Sequence, residues 1–105
     1  MDKRFRMVWL TDIYGPLLTE KQREALTKYY DEDYSLSEIA KDFGSSRQAV
    51  SDLIKRSEAV IEDYEEKLGL YERFTENSAL LDELTEIDAG NSKALAIIGK
   101  LKENI

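Results

Sequence analysis

LSEIAKDFGSSRQAVSDLIKR, residues Leu36 to Arg56, joins two short amphipathic stretches through Gly-Ser-Ser. Leu36, Ile39, Ala40 and Phe43 recur at three- and four-residue steps in the first stretch, and Ala49, Val50, Leu53, Ile54 and Ser57 do so in the second. Each pattern predicts a helix with one buried face, and the tight turn between them predicts a helix-turn-helix. At about 100° per residue, the other side of the second helix gathers Arg47, Gln48, Ser51, Asp52 and Lys55 into a polar wedge. A recognition helix carries its reading residues there. Ser35 stands three residues before Glu38 and Ser45 three before Gln48, so a capping box is expected at both helix starts. Gly44 falls where the chain must leave the first helix, which predicts a left-handed backbone.

Working outward toward the N-terminus, Phe5, Trp9 and Ile13 lie at four-residue spacing beside Val8 and Leu10, which predicts a helix over 2–14 ended by Gly15-Pro16. Thr19 with Gln22 opens a second helix near 20–32, whose apolar stripe is Ala25, Leu26, Tyr29 and Tyr30. Of the adjacent tyrosines, one ring is expected in the core and one at the rim rather than stacked on a base. Residues 1–57 thus hold four helices, a compact trihelical DNA-binding fold with one extra N-terminal helix.

Past Arg56 no breaker intervenes, and the last of these helices is expected to continue as one rod through VIEDYEEKLGLYERF. Ile54, Ile61 and Leu68 are spaced by seven, as are Ser57, Tyr64 and Tyr71, tracing a seam of about two heptads. That seam suits either packing on the same chain or a dimer. Gly69 beside it weakens the helix by about 1 kcal/mol relative to alanine and marks a bend. Leu80, Leu81, Leu84 and Ile87, then DAGN, then Ala94, Leu95, Ile97, Ile98 and Leu101 read as a helical hairpin. Its stripes need a partner surface, and a second copy of the chain is the simplest one. The expected organisation is a helix-turn-helix domain at 1–57 and an acidic helical extension at 58–105 that supports a homodimer.

Length and composition narrow the functions. The chain has 105 residues, enough for one small domain with an appendage, and its 42% apolar content supports a modest core. Cysteine and histidine are both absent, which removes disulfides, thiolate and imidazole metal ligands, cysteine nucleophiles and the imidazole base of a catalytic triad. No enzyme activity, cofactor or metal is therefore expected. The N-terminal stretch is too polar for a signal peptide and no window approaches the roughly 18 apolar residues of a membrane span, so a cytoplasmic protein without membrane insertion is expected.

Net charge is −7, unevenly placed. Residues 1–18 carry +1 and 19–34 carry −2; residues 35–57 carry +1, 58–76 carry −5 and 77–105 carry −2. The helix-turn-helix and the N-terminal helix are the weakly basic parts of an acidic chain, so nonspecific attraction to phosphates should be feeble. Arg47 can pair with guanine and Gln48 with adenine, Ser51 and Lys55 lie on the same face, and Lys55 and Arg56 can hold phosphates. Glu62, Asp63, Glu65 and Glu66 lie on an unbroken helix, where a solvated face is more natural than a metal site. Glu62, Glu65 and Glu66 alternatively suit docking on a basic partner.

LTEKQREALTKYY, SLSEIAKDFGSSRQAVSDLIKRSE and DYEEKLGLYERF together resemble the YlxM family, small bacterial helix-turn-helix proteins that look like region 4 of sigma factors. The resemblance covers residues 1 to about 75, and its distinctive part is SRQAVSDLIKRSE followed at once by the acidic rod. It implies an all-α fold with a winged-helix-like or sigma region 4-like headpiece and a long fourth helix, to which the C-terminal helical hairpin read from the tail is added. It also implies a nucleic-acid-binding regulatory role, on DNA or structured RNA, as an accessory of the signal recognition particle pathway. Sigma-type recognition helices are basic where this chain has Ser51 and Asp52. An aspartate there repels phosphate and accepts hydrogen bonds only from donors such as the cytosine amino group. The alternative is a protein-binding accessory factor, whose acidic rod docks on a basic component of that particle.

Overall fold

A computed structural model describes residues 2–104. Six α-helices follow in order: α1 Lys3–Tyr14, α2 Glu20–Leu26, α3 Leu36–Phe43, α4 Arg47–Leu68, α5 Leu70–Ile87 and α6 Ser92–Glu103. No β-strand occurs among the described residues, so the motif has no wing. The chain packs as two compact units, a headpiece through Gly69 and a hairpin from Leu70 onward. Position 57 lies inside α4, and the headpiece extends past it because α4 continues to pack on α1 for three further turns.

In the headpiece α1, α2 and α3 surround α4, and Met7, Leu10, Tyr14, Leu26, Ile39, Val50, Ile54 and Ile61 form the core. The buried face of α1 is Met7, Leu10, Thr11 and Tyr14; Phe5 is exposed and Val8, Trp9 and Ile13 are half-buried. The stripe expected from Phe5, Trp9 and Ile13 is therefore the rim. Thr11 joins the core because its hydroxyl donates to the Met7 carbonyl at 2.7 Å, a local bond that removes the cost of burying it. Ser57 is buried in α4 by the same device, its hydroxyl donating to Leu53 O at 2.7 Å.

Gly15–Leu17 form a 3₁₀ turn that ends α1, and the expected Thr19–Gln22 capping box opens α2. The second helix reaches its expected length only by changing pitch, since Thr27–Asp31 form a π-helical turn. Arg4 holds the end of this turn, donating from Nε to Tyr30 O at 2.8 Å and from a terminal nitrogen to Asp33 at 3.0 Å. Tyr30 is buried while Tyr29 stays half-buried, with ring centroids 4.9 Å apart at an edge-on angle. The pair divides between core and rim.

The Tyr30 hydroxyl donates to Glu58, which also meets Lys3 at 3.4 Å. Burial, followed by that hydrogen bond, pushes the Tyr30 phenol well above its ordinary value near 10. Above about pH 10 the unfolded chain releases this proton while the native state keeps it, so stability should fall as pH rises further. Lys28, whose ammonium is held up by Asp42, acts in the same direction. The alkaline loss measured by urea titrations should be smaller in Tyr30→Phe than in the parent; equal losses would contradict this role.

The fourth helix does not run on as one rod. Gly69 takes φ +62° and its N–H bonds Glu65 O at 2.8 Å, the geometry of a left-handed helix end rather than a bend. Ile54, Ser57 and Ile61 of the expected seam are buried in the headpiece, so that stripe packs on the same chain. In the second unit α5 and α6 form the expected hairpin, with Asn91 capping α6 through the Ala94 N–H at 3.0 Å. No helix among the described residues is long and apolar enough to cross a membrane.

Candidate nucleic-acid interface

The site is built on the turn between α3 and α4. Ser35 and Glu38 make the expected reciprocal capping box, and the Ser35 backbone and hydroxyl bonds hold the Glu38 carboxyl below its usual value. At the other end Gly44 adopts φ +63°, with its N–H on Lys41 O and the Ser45 N–H on Ala40 O. This is a Schellman closure. It fixes Ser45 to the end of α3, and the first residue free to cap α4 is Ser46, which accepts from the Ala49 N–H at 3.0 Å. The expected Ser45–Gln48 box is thus corrected by one residue.

Nothing lies within 4 Å of a Cβ built on Gly44, so the requirement there is conformational alone. Gly44→Val should destabilise the headpiece by about 1–2 kcal/mol through the left-handed strain of a β-branched residue. An unchanged midpoint in urea would mean that the turn relaxes to another backbone.

Val50, Ile54 and Ser57 pin one face of α4 beneath the surface, and the opposite side emerges. Arg47, Gln48, Asp52, Lys55 and Arg56 are exposed, and Ser51 is half-buried between them. Ala49, expected in the buried stripe, is exposed and lines a shallow depression with Asp52, Lys55 and Arg56. Gln48 donates its amide to Asp52 Oδ1 at 3.0 Å, one turn along the helix. That bond occupies one Gln48 N–H and leaves its carbonyl and second N–H without a partner among the described residues, the two kinds of group a bidentate adenine contact requires.

Most cations of α1, the π turn and the end of α4 are paired, while those of α2 and of the motif are not. Lys3, Arg4, Arg6, Lys28 and Lys67 are each in an ion pair within the headpiece. The side chains of Arg47, Lys55, Arg56 and exposed Lys41 on α3 make no hydrogen bond or ion pair with any described residue; on α2 the same holds for Arg23, and Lys21 lies over the Phe43 ring at 5.6 Å. Lys41 was not among the residues expected from the wedge on α4; its signal is the lone basic position on the solvent side of α3.

The acidic residues expected to meet a partner are placed differently. Glu62 accepts hydrogen bonds from Nε and one terminal nitrogen of Arg6, at 3.0 and 2.8 Å, tying α4 to α1. Glu65 is buried and accepts the Tyr14 hydroxyl at 2.6 Å. Glu66 is exposed, and its side chain has no hydrogen bond or ion pair among the described residues. Two of the three acids therefore close the headpiece on itself. No group of carboxylates that could hold a metal ion occurs among the described residues.

A short helix and a long one across a Gly-Ser-Ser turn, the second with its first cations outward, define a helix-turn-helix protein. The whole-chain comparison agrees: residues 1–101 match the family described as "Putative helix-turn-helix protein, YlxM / p13 like", UPF0122, and the chain belongs to that family. A UPF0122 protein of Exiguobacterium sibiricum is 51% identical over 88 residues, 84% of this chain and 83% of the relative. That of Halalkalibacterium halodurans is 54% identical over 86 residues, covering 82% and 79%. One from Bacillus licheniformis is 43% identical over 103 residues, covering 98% and 96%.

Proposed function

We propose that the protein is a nucleic-acid-binding regulator whose α4 enters a DNA major groove from its N-terminal half and which acts as a homodimer. The observation that carries this reading is the cluster of four cations on the motif, Arg47, Lys55, Arg56 and Lys41, whose side chains are outward and unpaired while those of α1 and the π turn are neutralised internally. In this reading Arg47 and Gln48 read bases, Ser51 accepts or donates one bond, and Lys55, Arg56 and Lys41 hold phosphates. The acidic remainder of the chain keeps nonspecific binding weak, so specificity must come from the bases. A place beside the signal recognition particle, as its accessory or regulator, is supported by the likeness to YlxM proteins.

The partner-docking reading is less favoured because Glu62 and Glu65 have internal work. Selection from a randomised DNA pool and a cellular RNA pool in parallel tests the proposal. Enrichment of a short duplex motif, lost with Arg47→Ala, is the expected result. Enrichment of folded RNA alone would move the interface to RNA, and enrichment of neither would refute nucleic-acid binding.

A further inference from the structure

The hairpin unit carries more apolar surface than it buries. Leu80, Leu84 and Ile87 recur at four- and three-residue steps on α5 and are 41 to 73% exposed. Ile97 and Leu101 make the matching stripe on α6, 53 and 46% exposed. Two helices offer each other only one face apiece, and here Leu81, Ala94, Leu95 and Ile98 fall on the less exposed sides. A second, uncovered stripe on both helices is what a four-helix arrangement uses and a lone hairpin does not.

The charges say what fits this stripe. Glu76 and Glu83 stand four residues before and three after Leu80; Lys93 and Lys100 stand four before and three after Ile97. By helical geometry each pair borders its own stripe on the same side, with the same seven-residue interval. One stripe is therefore edged by carboxylates and the other by ammonium groups. None of these four residues has an ion pair among the described residues, whereas Asp82 and Lys102 already join the two helices at 2.8 Å. Across its length α5 has five acidic residues and one basic, and α6 three basic and one acidic.

We infer that the hairpin is a self-complementary docking surface, on which the acid-edged stripe of α5 receives the lysine-edged stripe of α6 from a second copy of the chain. The two-fold relation repeats the contact, so Glu76 and Glu83 of each copy meet Lys93 and Lys100 of the other while the leucine and isoleucine side chains leave water. The inference deepens the homodimer of the proposed function by naming its surface and pairing, and it does not depend on whether α4 binds nucleic acid.

Sedimentation of the full chain tests it. The parent should be a dimer, and Leu84→Glu with Ile97→Glu should weaken association by about tenfold or more. Because a hairpin variant can fail by unfolding, the decisive pair reverses charge: one chain with Glu76→Lys and Glu83→Lys, another with Lys93→Glu and Lys100→Glu. Each alone places like charges across the contact and should be monomeric, while an equimolar mixture should restore the dimer. In an arrangement of α5 on α5, reversing one helix would leave the charge balance unchanged, so a reversed chain that still dimerises alone overturns the pairing. A monomeric parent, or a mixture that stays monomeric, overturns the whole inference. A dimer that binds no nucleic acid would instead refute the function and leave this surface standing.

Discussion

Tyr14→Ala should destabilise the headpiece by about 3–5 kcal/mol, the range for deleting a large ring from a core. The side chain is fully buried, its ring stacks on Tyr64 at 5.9 Å between centroids, and its hydroxyl donates to Glu65 at 2.6 Å. Truncation removes the ring's burial and leaves a carboxylate in the same space with one donor fewer, and both losses contribute to that total. Tyr14→Phe separates them: it keeps the ring and should cost about 1.5–3 kcal/mol, the worth of a hydrogen bond to a charged group. Urea unfolding reads both. If Tyr14→Phe matched the parent, Glu65 would be drawing its stabilisation from elsewhere and the α1–α4 contact would be held by packing alone.

Arg47→Ala with Lys55→Ala should have the largest effect on binding. A lost bidentate guanine contact costs about 1–3 kcal/mol, a roughly five- to 150-fold weaker complex, before the phosphate contact of Lys55 is counted. The slope of log affinity against log salt should fall by about 0.9 for each phosphate contact removed. Both residues are exposed and unpartnered, so thermal stability should move by no more than about 0.5 kcal/mol. Arg47→Lys refines the result, since a lysine keeps the charge but lacks the planar fork and should lose base preference more than affinity. Unchanged affinity in the double variant would place the interface elsewhere.

The helix-turn-helix was legible because its signals are local: a glycine at the one left-handed position, a serine-glutamate box, and apolar residues at helical spacing all concern neighbours within a turn. What escaped was set by tertiary partners. Thr11 and Ser57 are polar by name yet buried, since each hydroxyl closes on a carbonyl four residues back, and a stripe counted only in apolar residues passes over both. Phe5 and Ala49 are apolar by name yet exposed, because the helix face is chosen by what packs against it. The cap moved from Ser45 to Ser46 because the Schellman closure of α3 claimed Ser45 first.

The acidic rod is only in part the solvated face that its carboxylates suggest. A run of carboxylates looks like one solvated face until Arg6 and Tyr14 arrive from α1, more than fifty residues earlier in the chain. Gly69 gave a true local signal, and its left-handed conformation makes it a terminator rather than a bend. The wedge on α4 was legible as a set of positions, and its outward cations follow from Val50 and Ile54 being buried.

Backbone amide shifts of the full chain, followed during titration with a duplex drawn from the selection, bear most directly on the exposed strip of α4 as the interface. Changes should concentrate over residues 45–56, with a smaller set at Lys41 and little along residues 58–66. Changes centred on that acidic face or on the hairpin, with the α4 strip silent, would contradict that interface.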